Sequence, residues 1–140
     1  MPTVVASSFA DPADVAAYKK WVEVYKAHGM SQEDAEEAAL AKGDNGIGFT
    51  GIFCATDKEC LCALPPEDWK AKWGTKSKAA GKGVIVTYNG KDVKGSLGDT
   101  MPAKGKRLNE ALIDLNPGFA KAFKEKPPFM LKGVSWRWAE

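Results

Sequence analysis

Residues 96–123 read SLGDTMPAKGKRLNEALIDLNPGFAKAF. Two short apolar runs in this stretch each lead to an aspartate. Leu97 precedes Gly98-Asp99-Thr100, and Leu112-Ile113 precedes Asp114-Leu115. The loop between them holds Pro102, Lys104, Gly105, Lys106, Arg107 and Asn109. After the second aspartate, Asn116 suits a helix cap and Pro117 a first helical position, opening a short helix through Phe119 and Phe123. Two strand ends that bring carboxylates together beside a basic loop have the chemistry for acid–base work on a neutral polymer. Crowding or burial raises the pKa of one carboxylate and leaves the other ionised. A structural account of the same residues is available: Asp99 holds a turn, and Asp114 caps the helix with Asn116.

Working outward, the pattern downstream and just upstream is of strands. Residues 83–88, GVIVTY, are strongly β, Asn89-Gly90 is a hairpin turn, and 92–97 return. Near the end, Val134, Trp136 and Trp138 alternate on one face of a last strand that follows Pro127-Pro128. Residues 61–64 form a short apolar strand ended by Pro65-Pro66, and 67–73 a short helix with Trp69 and Trp73 on one face. Residues 74–83 read as a polar, basic loop. At the front, 4–9 are a strand and Asp11-Pro12 starts a helix to His28. Its apolar side carries Val15, Tyr18, Val22 and Tyr25, with Trp21 alongside. Gly29 closes it, and a capping box at Ser31 opens a second helix over 32–42. His28 sits at a helix end, where a cation meets the dipole favourably. The nine residues 43–51 hold four glycines, so tight turns and close backbone approach are expected there. They lack the ligand pattern of an EF-hand and the Gly-Lys-Ser/Thr ending of a phosphate loop.

Composition bounds the function. A chain of 140 residues builds one domain, here 1–140, with a helical insertion at 12–42. Hydrophobic residues at 44% and charged residues at 27% are ordinary for a globular protein. A net charge of +2 is too small to argue for nucleic acid or an anionic membrane, and no apolar run spans a bilayer. The first residues lack the pattern of a signal peptide, which leaves three readings: a mature segment with an added Met, export by another route, or a protein that stays inside the cell. Cys54, Cys60 and Cys62 allow at most one disulfide, Cys54 with Cys60 or Cys62, as suits an exported protein. Without a nearby His they make a poor zinc site, so neither a metal nor another cofactor is expected.

The frame is thus mostly β, with about six short strands and helices in insertions. It resembles the double-psi β-barrel superfamily: barwin-like proteins, expansins, family 45 glycoside hydrolases, rare lipoprotein A and membrane-bound lytic transglycosylase A. Four places carry the likeness: Val5-Ala6-Ser7-Ser8-Phe9, Gly43-Asp44-Asn45-Gly46-Ile47-Gly48, Cys62-Ala63-Leu64-Pro65, and the aspartate pair with its following helix. The resemblance implies a six-stranded double-psi β-barrel with helical insertions. It implies that Asp114 is the catalytic acid and Asp99 its neighbour that sets charge and binds sugar. By the pattern of the family 45 hydrolases, Asp11 just past the first strand is the base. Two well-separated carboxylates suit an inverting mechanism.

The expected function is therefore cleavage of a cell-wall polysaccharide by an extracellular or periplasmic monomer acting as a lytic transglycosylase or glycosidase. The substrate is peptidoglycan or a plant or fungal wall glycan. Thr100 and Asn116 are candidates to bond sugar hydroxyls, and Tyr88, Trp69 and Trp73 to stack on sugar rings; core packing is the other account of the tryptophans. The alternatives are a non-catalytic, expansin-like wall-binding module, or a secreted effector or inhibitor that binds a partner protein.

Overall fold

The computed structural model describes residues 3–105 and 110–140. Six strands close a barrel: β1 (Val4–Ser8), β2 (Leu61–Leu64), β3 (Gly83–Tyr88), β4 (Lys91–Thr100), β5 (Ala111–Leu115) and β6 (Met130–Trp138). Their order around the barrel is β1-β5-β2-β4-β3-β6. The pairs β1/β5 and β2/β4 are parallel, and the other four are antiparallel. The helices are α1 (Pro12–Ala27), α2 (Gln32–Leu40), α3 (Pro66–Trp73), α4 (Lys76–Ala79) and α5 (Pro117–Phe123). Among the described residues helical positions outnumber strand positions, so the frame is a β-barrel carrying helical insertions.

Local chemistry explains most boundaries. Asp11 caps α1, its carboxylate accepting from the Asp14 amide, with Pro12 at the first position. Ser31 caps α2 through the Asp34 amide, and Asn116 caps α5 through the Phe119 amide. Asn89 and Gly90 take φ of 54° and 79°, the two positive values the β3–β4 hairpin turn needs. Residues 74–83, expected as a plain loop, contain the single-turn helix α4. Thr75 caps it by accepting from the Lys78 amide.

The barrel interior follows from alternation along each strand. Ala6, Cys62, Leu64, Val84, Val86, Leu97, Ile113, Leu115 and Val134 point inward and are buried. Phe119 of α5, with no exposure at all, packs into the same cluster, where a phenyl ring contributes roughly 1.5–3 kcal/mol. The α1–α2 pair makes its own small core of Val22, Ala35 and Ala39 under Tyr18, Trp21 and Tyr25. Val15, on the expected apolar side of α1, lies elsewhere: it lines a cleft with Ile47 and Phe53.

Candidate functional site

Register places Asp99 and Asp114. Asp114 of β5 pairs with Ser7 of β1 on one side and with Ala63 of β2 on the other. Ala63 in turn pairs with Asp99 of β4. Ser7, Asp114, Ala63 and Asp99 therefore form one row across four adjacent strands. Neighbouring strands lie about 4.8 Å apart, so the two aspartate backbones stand roughly 10 Å from each other, with Ala63 between them. Inward-facing Ala6, Cys62 and Ile113 flank the row, which puts Ser7, Ala63 and Asp114 on the outer wall of the barrel.

That wall is covered. Phe9, Ala10, Cys54, Leu61, Ala63 and Met101 form a second buried cluster on it, with Ile52 and Ala55 packed against them. The glycine-rich segment 43–53 lies over β4. A Cβ on Gly48 would stand 1.8 Å from the Gly98 carbonyl oxygen, so only glycine allows the contact. The Phe49 amide donates to the Asp99 carboxylate at 3.2 Å, and the Thr100 amide donates to the same oxygen at 2.8 Å. Asp99 thus fastens the segment to the barrel. Asp114 is only 7% exposed, and the Ser7 hydroxyl donates a hydrogen bond to it.

The site is rich in carboxylates. Burial, with the charges of Asp44 and Asp114, pushes Asp99 up to about 6 despite the two amides that favour its anion. Asp14 is also pushed up to about 6, first by burial and then by the charge and hydrogen bond of Asp11 and the charge of Asp44. Asp11 is 7% exposed and acts as the α1 cap. The structure thus gathers Asp11, Asp14, Asp44, Asp99 and Asp114 around the start of α1 and the glycine-rich segment. It leaves Asp11 and Asp114 almost wholly covered.

The other candidate residues are committed to the fold. Asn116 is 1% exposed: its Oδ1 accepts from the Leu61 and Phe119 amides, and its Nδ2 points at the carbonyls of Cys54, Thr56 and Glu59. Thr100 Oγ1 accepts from the Trp69 indole at 3.0 Å and reaches the Leu64 and Met101 carbonyls. Trp69 is 2% exposed and meets Phe49 edge-on, so its ring faces are covered by protein. Trp73 packs edge-on against Trp138, away from the aspartate row. The Tyr88 hydroxyl donates to Glu125, and its ring packs on Phe123. Of the expected sugar-binding set, Asn116 and Trp69 are buried, Thr100 is bonded to the Trp69 indole, and Tyr88 and Trp73 are half-buried against Phe123 and Trp138.

The basic loop is described in part. Lys104 pairs with Asp68 at 3.1 Å, and its amide donates to Glu67; Lys106, Arg107 and Asn109 lie outside the described residues. All three cysteines are free thiols, so the one disulfide that the sequence allows is not formed. Cys54 and Cys62 are buried on opposite sides of the barrel wall, each in a different apolar cluster. Burial pushes the Cys54 thiol up to about 12. Among the described residues no group of His, Cys, Asp and Glu has the arrangement of a metal site, and no helix is long and apolar enough to cross a membrane.

Three residues that matter here carried no local signal. Ser7 meets Asp114 only through a parallel pairing that spans 107 residues. Ile47 and Phe53, 52% and 57% exposed, face each other across an isolated bridge in the glycine-rich segment. A cleft of about 500 Å³ lies beside them, lined by Pro12, Val15, Ile47, Phe53 and Ala55 among others. A second, of about 520 Å³, shares Pro12 and Ala55 and continues over Pro117, Ala120 and Pro127.

No protein-family model and no curated relative matches the chain. Among solved structures, it is similar to a Streptomyces papain inhibitor, with a TM-score of 0.47 and 25% identity over 69% of this chain and 86% of that one.

Proposed function

We propose that this chain is a double-psi-barrel module that binds a partner protein through the segment 45–55 and the clefts beside it. The closed six-stranded order and its two parallel pairs support the double-psi reading of the barrel. One observation carries the function: Ile47 and Phe53 stand more than half exposed on a segment that is otherwise tightly held. The Gly48 amide donates to the Ile52 carbonyl and the Cys54 amide to the Gly46 carbonyl, both at 2.7 Å. Two large apolar side chains on a fixed turn lose little conformational freedom on docking, which favours association. Such a turn fits an apolar cleft in another protein, the geometry by which an inhibitor occupies an enzyme.

The test is titration against a panel of cysteine and serine endopeptidases whose subsites take apolar side chains. The reading expects stoichiometric inhibition of at least one, weakened tenfold or more by Ile47→Asp with Phe53→Asp. Failure to inhibit any member of the panel sinks it.

A second reading keeps the aspartate row chemical, and the raised pKa of Asp99 beside Asp114 favours it. In it, movement of the segment 43–53 opens the row to a wall glycan. Asp114 protonates the glycosidic oxygen, Asp99 sets its charge, and Asp11 serves as base. Release of soluble fragments from purified sacculi, abolished by Asp114→Asn in a folded variant, supports this reading and overturns the first.

A further inference from the structure

Charge on this chain is segregated far more than its net value suggests. From Trp69 to Lys91 there are six lysines and no Asp or Glu. Five of them, Lys70, Lys72, Lys76, Lys78 and Lys82, belong to α3, α4 and the turn into β3. The first four are exposed and Lys82 is half-buried. The ammonium groups of Lys72 and Lys82 both lie over the Trp73 ring, at 5.5 and 4.7 Å, and that of Lys70 lies over Trp69 at 5.6 Å. Trp73 meets Trp138, which meets Trp136, each edge to face at 5.7 and 5.3 Å. The nearest acids are accounted for. Asp68 and Glu67 are engaged by Lys104, and Glu140 stands at the edge of the patch, after Ala139, whose amide bonds Gly83. The opposite sign collects on α2, with Glu33, Asp34, Glu36 and Glu37.

We infer that the α3–α4 face binds an acidic polysaccharide, one bearing carboxylate or sulfate groups along its length. The composition of the face selects this partner. Among the described residues it offers lysines and no arginine, hence point charges without the rigid fork that reads a single phosphate. The face of Trp73 is covered by ammonium groups and the indoles meet edge-on, so the rings do not form the open platforms on which single-stranded bases stack. Among the described residues, none of the exposed large apolar side chains (Met30, Leu40, Ile47, Phe53 and Met130) lies on α3 or α4, so nothing there inserts into a bilayer. Duplex nucleic acid carries a charge every ~1.7 Å and draws affinity from many neutralised phosphates. Five lysines on a chain of net charge +2 match the sparser charge of an acidic glycan better. This face is separate from the segment 45–55, so the inference does not rest on the protease-binding reading.

The test uses the full chain on immobilised polygalacturonate at low salt. Wild type is expected to bind and to elute as salt rises, since exposed charges are screened. The variant carrying Lys72→Gln, Lys76→Gln and Lys82→Gln, checked for unchanged circular dichroism, is expected to bind at least tenfold more weakly. Ile47→Asp with Phe53→Asp is expected to bind as wild type does, which keeps this outcome distinct from that of the inhibitor test. Equal retention of the glutamine variant, or of wild type on the fully methyl-esterified polymer, overturns the proposal. So does tighter binding to duplex DNA or to phosphatidylserine vesicles at matched charge concentration.

Discussion

The Ser7 hydroxyl on β1 donates a hydrogen bond to the Asp114 carboxylate on β5, joining two strands 107 residues apart in sequence. Both residues are 7% exposed. A buried hydrogen bond between two strands contributes to holding them in register, and water does not replace it when it is lost. Ser7→Ala is therefore expected to lower stability by about 0.5–1.5 kcal/mol. In urea unfolding the midpoint falls and the slope stays the same; an unchanged midpoint contradicts the assignment.

Asn116 is a larger stake. One side chain caps α5, holds the Leu61 amide at the start of β2, and gathers three carbonyls from the segment 54–59. Loss of the cap alone costs about 1 kcal/mol. Each buried amide or carbonyl left without a partner adds about 1–3 kcal/mol. Asn116→Ala is expected to cost at least about 3 kcal/mol by those magnitudes together. Asn116→Asp keeps the two accepting contacts but faces the three carbonyls with a carboxylate, so it too is expected to destabilise. Chemical denaturation of both variants checks this, and a wild-type midpoint in Asn116→Ala refutes it.

This pattern says what the sequence could and could not carry. Caps at Asp11, Ser31 and Asn116, the Asn89-Gly90 turn and the strand alternation are local chemistry, and each is found where the residues suggest. The short helix α4 was hidden because its cap, Thr75, opens only one turn in a stretch rich in Gly and Lys. The row Ser7–Asp114–Ala63–Asp99 needed three strand pairings between distant segments, which periodicity does not fix. The exposure of Ile47 and Phe53 was equally invisible. Spacing marks them as apolar, and only the seating of Gly48 on Gly98 decides that they face outward. The partners of the sugar-binding candidates were hidden for a related reason. Residue type suggested hydroxyl and ring chemistry, while Asn116, Thr100 and Trp69 are consumed by the barrel.

The acidic cluster sets a pH dependence whose sign is fixed. Burial raises Asp99 from 3.8 to about 6, and Asp14 likewise. A carboxyl with a raised folded pKa holds its proton more tightly in the folded state. Between about pH 4 and 6 the folded state therefore binds more protons than the unfolded one. The contribution of these two groups is largest at the acid end of that window and is lost as pH rises through 6. Thermal melts are expected to show a midpoint that climbs as pH drops from 7 toward 4.5. Asp99→Asn keeps an oxygen to accept from the Phe49 and Thr100 amides and removes one titration. It is expected to raise the midpoint at pH 7 and to flatten the climb. A midpoint for Asp99→Asn that tracks wild type at every pH refutes the assignment.

Thr50 sits at the tip of the segment that carries Ile47 and Phe53, with φ 58° and ψ 18°. A β-branched side chain in the left-handed region is a true outlier, because its Cβ crowds the following carbonyl. Thr50 is exposed, so no packing against its side chain offsets the strain. Its neighbours hold it there: the Gly51 amide donates to the Gly48 carbonyl at 3.3 Å and Gly51 itself takes φ 82°. Asparagine adopts this backbone conformation far more readily. Thr50→Asn is therefore expected to stabilise the protein by about 0.5–1 kcal/mol, part of the roughly 1–2 kcal/mol that left-handed geometry costs. The change leaves Ile47 and Phe53 in place, so inhibition in the endopeptidase panel is expected to be retained. A lower unfolding midpoint would mean that the Thr50 hydroxyl or methyl group stabilises the turn.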